Sequence, residues 1–242
     1  MRILVISDIH ANLEALEAVI DAAGEVDAAW CLGDVVGYGP NPNECVDLVQ
    51  QLPDLICLMG NHDAAAIGIG ETESFNPEAR LSIEWQQEQL TEGSQEFLRQ
   101  IRERQQAGDY TLVHGSPRQP LFEYLLDTES AALSFQYFQG SFSLVGHTHI
   151  PVIFKQSPVM ERVTLSIPDP ESVTQLQPRS IINPGSVGQP RDRDPRAAYA
   201  ILDDERDQWS FRRVEYPVDK VQEKMKAAGL PERHIVRLES GW

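Results

Sequence analysis

The sequence predicts an α+β fold of two mixed sheets packed face to face, with helices covering the outsides. Residues 1–145 alternate apolar strand-like runs with helical stretches, the pattern of parallel strands joined by right-handed crossovers. Residues 150–214 change character: strand-like runs follow one another with few helices between them. No Gly/Ser linker, low-complexity tract or repeat divides the 242 residues, so 1–242 reads as one domain, long enough to bury a substantial core.

Residues 2–7 form a strand whose consecutive apolar residues mark burial on both faces. Asn12 caps the next helix, where Leu13, Leu16, Val19 and Ile20 share one stripe and Gly24 ends it. Val26 to Leu32 is the second strand. The glycines and prolines of 35–43 mark a loop, after which Asn43 caps a helix from Glu44 to about Gln51. A third strand spans 55–59. Ala64 to Gly70 is small and flexible. Pro77 opens a long helical region to about Arg104, broken near Gly93, which lies between two site-bearing strands and either covers the crevice or simply packs. Then come strand 110–113, a helix between about Thr128 and Gln139, and strand 142–145. Further strands occupy 150–155, 159–167, 179–182, 198–202 and 209–214, before a helix from Val218 to Ala228.

Composition excludes several classes. The formal net charge of −17 disfavours duplex nucleic acid and anionic membrane surfaces, both of which need a basic footprint. It leaves room for a small phosphorylated substrate, because bound cations invert the local field. No apolar run approaches the ~20 residues of a membrane span, and the N-terminal run is not a secretory signal. Three cysteines give no disulfide framework; Cys31 and Cys57 read as buried thiols of a cytosolic protein.

The chemistry sits at strand ends. Asp8 and His10 follow the first strand, Asp34 the second, Asn61, His62 and Asp63 the third, His114 the fourth, and His147 and His149 the fifth. Ligand crevices of open α/β sheets lie outside the carboxyl ends of strands. Asp34 therefore reads as a carboxylate shared by two metal ions, with the other clusters supplying the remaining ligands. Asp8 and His10 are two apart, so in extended chain both point to one side; His147 and His149 repeat the relation. Asn61 and His62 are adjacent and point apart, so one reads as a ligand and the other as a free catalytic group. Imidazole with carboxylate suits Zn, Mn, Fe, Co or Ni, and the lack of cysteine argues against a structural zinc site. Each cluster alone is weak evidence. Their conjunction is not: five of the six histidines stand just past an apolar strand, and only His234 lies elsewhere, reading as a surface residue.

Asp8-x-His10, Gly33-Asp34, Gly60-Asn61-His62-Asp63, His114-Gly115 and Gly146-His147-x-His149 resemble the five blocks of the calcineurin-like metallophosphoesterase superfamily, in order and complete. The stretches 31–40 and 182–191 look like the bacterial branch grouped with diadenosine tetraphosphatases and serine/threonine phosphatases. The resemblance covers roughly residues 1–215. It implies a four-layer α/β/β/α sandwich and two divalent or trivalent transition-metal ions. Asp8, His10 and His149 would hold one ion; Asn61, His114 and His147 the other; Asp34 would bridge them; His62 would act without binding metal. Asp63 either orients His62 or is a turn residue bonding its own backbone. A hydroxide shared by ions about 3.5–4 Å apart would attack phosphorus in line, with protonated His62 serving the leaving oxygen.

For substrate, Arg191 and Arg118 are candidate clamps on a second phosphate, as are Arg193 and Arg196, and Tyr38 a candidate stacking ring. A phosphomonoester, phosphodiester or dinucleoside polyphosphate fits. The alternatives are a catalytically idle scaffold, as in the phosphoesterase-like retromer subunit, and a nuclease. Complete ligand blocks count against the first and the acidity against the second.

Overall fold

The computed structural model describes residues 1–69, 75–157, 159 and 162–242. Two six-stranded mixed sheets carry the fold. The first orders β3 (Ile56–Cys57), β2 (Ala28–Cys31), β1 (Arg2–Ile6), β11 (Ala197–Asp203), β12 (Gln208–Val214) and β9 (Val173–Gln175). The second orders β4 (Arg104–Ala107), β5 (Tyr110–Val113), β6 (Phe142–Leu144), β10 (Ser180–Asn183), β7 (Val152–Gln156) and β8 (Val163–Ser166). In each, three neighbours run parallel: β1, β2 and β3 in one, β5, β6 and β10 in the other.

Alternation along β1 explains its unbroken apolar run. Ile3 and Val5 face the second sheet, where they meet a core that includes Leu112, Leu144, Ile182, Trp209 and Phe211. Leu4 and Ile6 face the opposite way, toward helices. Those helices are α1 (Leu13–Ala23), α2 (Pro42–Gln50), α5 (Glu92–Gln100), α7 (Val218–Ala227) and α8 (Glu232–Ser240), contributing Leu16, Val46, Leu98, Val221 and Ile235 among others. The outer face of the second sheet is covered by α6 (Thr128–Ser134), whose Ala131 packs with Val113, Val145 and Phe154. Helix, sheet, sheet and helix thus form four layers. Each fully buried Leu, Ile or Phe contributes roughly 1.5–3 kcal/mol, so the layers are held mainly by their three apolar seams.

Several boundaries differ from expectation, each for a local reason. The second helix starts one residue before Asn43, with Pro42 at its first turn and Asn41 at its N-cap. Asn43 instead ties two later segments: its amide donates to the Gln89 carbonyl (2.9 Å) and its Oδ1 accepts from Thr91 N (2.9 Å). The long helical region is two helices, α4 (Pro77–Gln89) and α5, broken at Leu90–Thr91; Thr91 caps α5, and Gly93 lies inside it. The helical region ends at Gln100, and β4 begins at Arg104. The stretch expected to be flexible begins as α3 (Asn61–Ala66); Gly70 lies outside the described residues. Among the described residues no helix is long and apolar enough to cross a membrane.

Register fixes the place of the site. Ile6 pairs with Cys31 and Cys31 with Cys57, so the residues after β1, β2 and β3 leave one edge together. Leu112 pairs with Leu144 and Leu144 with Ile182, which does the same for β5, β6 and β10. The two edges meet, because His147 N–H donates to the Asp8 carboxylate (3.1 Å to Oδ2) and Val187 N–H to the Ser7 carbonyl (3.0 Å).

Candidate metal centre

The loops leaving these strands turn back sharply. Asp8 (φ 54°), His10 (49°), Asp34 (54°), His147 (65°) and His149 (61°) all lie in the left-handed region that non-glycine residues seldom adopt. Such conformations persist where surrounding structure holds them, and they cluster at functional sites. Here the hold is a ladder between loops: Asp8 N–H to Gly33 O (3.0 Å) and His10 N–H to Asp34 O (2.9 Å). Asp8 and His10 therefore converge through consecutive tight turns, not through the extended chain expected from their spacing. Gly60 must be glycine, because a Cβ there would collide with the Asp34 carboxylate.

The donor atoms gather in two groups that share Asp34: Asp8, His10, Asp34 and His149, and Asp34, His114 and His147. In the first, His149 Nε2 lies 3.4 Å from Asp8 Oδ1, and His10 Nε2 lies 3.6 Å from Asp34 Oδ2. In the second, His114 Nε2 lies 3.3 Å from Asp34 Oδ2, 3.1 Å from His147 Nδ1 and 3.2 Å from Asn61 Oδ1. All these residues are buried.

One pair tests whether a cation fits. His10 Nε2 and His149 Nε2 stand 3.0 Å apart. Each ring's Nδ1 faces a carbonyl that can only accept: Val36 O (3.1 Å) for His10 and Gln189 O (2.6 Å) for His149. The single proton of each neutral ring is thereby committed to Nδ1, and two bare lone pairs face each other. Burial also pushes both rings well below the usual imidazole pKa, so neither carries a second proton. Two opposed lone pairs flanked by carboxylates are the donor set of a transition-metal ion, with the carbonyls fixing the tautomer behind them. His114 Nδ1 is held the same way by Leu32 O (2.9 Å).

The field around Asp34 is strong. Burial alone would raise its carboxyl, but His114, as a charge and as a hydrogen-bond partner, leads the interactions that hold it well below the carboxylate range. Reciprocally, burial would lower His114, but Asp34 raises it to about 9. Asp8 is raised to about 7, mainly by burial, with the Asp34 charge adding to it. Burial lowers His147 to about 3 and His62 to about 4. His62 is thus a neutral ring in the resting protein.

His62 belongs to neither group. Its ring meets His10 edge-on (centroids 4.9 Å, 83°), and a Cβ on Gly37 would stand 2.6 Å from its Nδ1. Asp63 does not bond the His62 ring. Its oxygens accept from the backbone N–H groups of Asp34 (2.8 Å), Val36 (3.0 Å) and Gly60 (2.9 Å), so it splints the β2 and β3 loops together. Only the Gly60 bond is the local backbone contact expected of a turn residue; the bonds to Asp34 and Val36 reach across to another loop.

Three further expectations are revised. Arg118 forms an ion pair with Glu123, five residues on, so its charge is already matched. Tyr38 lines the cavity beside His62, but its buried ring packs against His10 (4.6 Å), His62 (4.4 Å) and His234 (4.6 Å), leaving no open face for a base. His234 is 2% exposed, carried on α8 against Tyr38, not at the surface. Arg191 is half-buried; its Nη2 donates to Gln189 Oε1 (2.9 Å) and lies 3.5 Å from Tyr38 Oη, with no side-chain carboxylate within 4.0 Å among the described residues. Arg196 pairs with Asp194, while Arg193 lies over the Trp242 ring. From the helical region that begins at Pro77, Gln86 of α4 reaches the loop beside the site: it accepts from Gly37 N–H (2.7 Å) and donates to Gly39 O (2.8 Å).

A family model described as the calcineurin-like phosphoesterase superfamily domain matches residues 1–207. The chain belongs to that superfamily. It is a metallophosphoesterase, a hydrolase of phosphate ester bonds. A metallophosphoesterase from Sphaerobacter thermophilus superposes with TM-score 0.92 at 47% identity, over 100% of this chain and 99% of that one. An uncharacterized protein of Methanocaldococcus jannaschii is 36% identical over 237 residues, 95% of this chain and 94% of its own length. Phosphodiesterase YfcE of Escherichia coli is 25% identical over 217 residues, 85% and 89% of the two chains.

Proposed function

We propose that this protein hydrolyses small soluble phosphate esters with two transition-metal ions seated on either side of Asp34. The observation that carries the reading is the His10–His149 pair, whose Nε2 lone pairs face each other at 3.0 Å with both ring protons committed elsewhere. Asp8, His10 and His149 would hold one ion, Asn61, His114 and His147 the other, and Asp34 both. When bound, such ions supply Lewis acidity, neutralising phosphoryl oxygens and acidifying water.

The chain's own groups do the rest. The carbonyls of Val36, Leu32 and Gln189 hold the Nδ1 side of the three rings, so each already points its Nε2 at the centre. Asp63 keeps Asp34 and the start of α3 in one piece. His62, neutral at rest, takes a proton from solvent when an anionic phosphoryl group lies beside it, since a nearby opposite charge favours the charged ring. It then holds that proton for the leaving oxygen. Arg191, without a carboxylate partner among the described residues, is free to bind a further anionic oxygen of the substrate.

The substrate is a phosphomonoester, phosphodiester or dinucleoside polyphosphate. The phosphodiesterase name of the E. coli relative favours the diester. Manganese is the metal we favour. The free thiols of Cys31, Cys45 and Cys57 support a cytoplasmic setting.

The test is hydrolysis of bis(p-nitrophenyl) phosphate and p-nitrophenyl phosphate after exhaustive chelation, then with Mn, Co, Ni, Fe or Zn restored. Chelation abolishes turnover and manganese or a similar ion restores it. Full activity in the metal-free protein would end the two-ion reading, and no turnover with any metal would favour a binding scaffold.

A further inference from the structure

Three aromatic side chains that the chemistry above does not use stand at the mouth of the site. A cavity of about 400 Å³ opens over Asn61, His62 and His147, and Phe75, Phe122 and Tyr124 stand in its wall. They come from two separate loops: Phe75 from the segment before α4, Phe122 and Tyr124 from the segment between β5 and α6. We propose that this cleft stacks a planar aromatic arm of the phosphate ester, a nucleobase or an aryl group, while the phosphoryl group lies at the metal centre. The inference rests on the proposed phosphoesterase reading and names the substrate class for it.

Two of the rings are anchored to the site. Tyr124 stacks on the His147 imidazole (centroids 3.8 Å, 28°), and Phe75 meets the His62 ring edge-on (4.9 Å, 77°). Each is therefore held in register with a group at the reaction centre. Yet Tyr124 remains 48% exposed and Phe122 45% exposed, although both are large and apolar. Aromatic surface left in water at the mouth of a polar-floored cavity is covered when a flat ring slides against it, and rings favour offset or edge contact with rings. The resulting pocket has two chemistries: cationic once loaded with metal at its floor, aromatic at its rim. In a chain with formal net charge −17, an uncharged stacking arm adds affinity without meeting the repulsion that an anion feels. Tyr38, the ring expected from sequence to stack a base, is packed inside; the exposed rings are the ones at the rim.

The test uses matched pairs of inhibitors of bis(p-nitrophenyl) phosphate hydrolysis: 5′-AMP against ribose 5-phosphate, and phenyl phosphate against methyl phosphate. At least one aromatic member should bind roughly tenfold tighter than its partner, the scale of one base–aromatic stack. An advantage for 5′-AMP alone identifies a nucleobase site, and one for phenyl phosphate identifies an aryl site. Phe122→Ala and Phe75→Ala should shrink the ratio and Phe122→Trp should keep it. Equal binding within both pairs, or a ratio unchanged in both alanine variants, overturns the inference. The same ratios are read by calorimetric titration of the manganese-loaded protein. A protein that binds the ligands but turns nothing over would therefore fail the reading of function without failing this one.

Discussion

On one side of Asp34 stand Asp8, His10 and His149; on the other, Asn61, His114 and His147. The first side adds a second carboxylate to the shared one. The second adds only a neutral amide. The imidazoles differ too. His10 and His149 are both held neutral by burial, with their lone pairs already bare. His114 carries a proton up to about pH 9 because Asp34 faces its Nε2 at 3.3 Å. The imidazoles of the first side are thus already bare for a cation, while on the second His114 must give up a proton to receive one. One carboxylate serves both, so the two sides share an anchor but differ in what a cation must displace.

The largest expected effect sharpens this comparison by removing a residue that belongs to neither side. His62→Ala should keep metal on both sides and fold normally, while kcat falls by roughly 10²–10⁴, the usual worth of a positioned general acid. The loss should shrink for leaving groups of low pKa, which need little protonation. Loss of metal from the variant would make His62 a ligand. A deficit independent of leaving-group pKa would leave electrostatic stabilisation of the phosphoryl group as its role.

A smaller effect separates the two sides by pH. The folded pKa of His114, raised to about 9, means its proton is bound below that pH and competes with a cation at Nε2. Affinity on that side should fall as pH drops from 9 to 7, by up to about tenfold per unit. On the other side the proton that competes is that of Asp8, raised to about 7, so affinity there should hold until pH falls below 7. Calorimetric titration with manganese at pH 7 and 9, in buffers of different ionisation enthalpy, reads both affinities and the proton released. Identical pH dependence of the two steps between 7 and 9 would erase the proposed difference.

Much of the site was legible because its residues announce themselves at the ends of apolar runs. Strand ends converge on one edge, so a donor just past each end predicts a cluster without knowledge of the loops. What stayed hidden depends on side-chain partners. Nothing in the Asp8-x-His10 spacing signals left-handed turns, because they are imposed by bonds to Gly33 and Asp34 in another loop. Arg118 looks like a free cation until Glu123 is seen beside it. His234 lies in a charged stretch, and only Ile235 and Leu238 facing the core reveal the helix that buries it. Strands β4 and β9 are three or four residues long and mostly polar, too short for alternation to register. Phe122 and Tyr124 sit in a loop with no periodicity, where an exposed aromatic has no sequence signature.

The central claim is that Asp34 is common to both sides, and metal content tests it directly. Asp34→Ala should lower occupancy on both sides, leaving clearly less than one ion per chain, whereas Asn61→Ala should lose metal mainly from one side. Elemental analysis of the two purified variants and the wild type, loaded with manganese under the same conditions, gives the result. Occupancy lost on both sides in Asp34→Ala and on one in Asn61→Ala is the predicted outcome. A full wild-type complement of metal in Asp34→Ala would contradict it and show that Asp34 does not join the two sides.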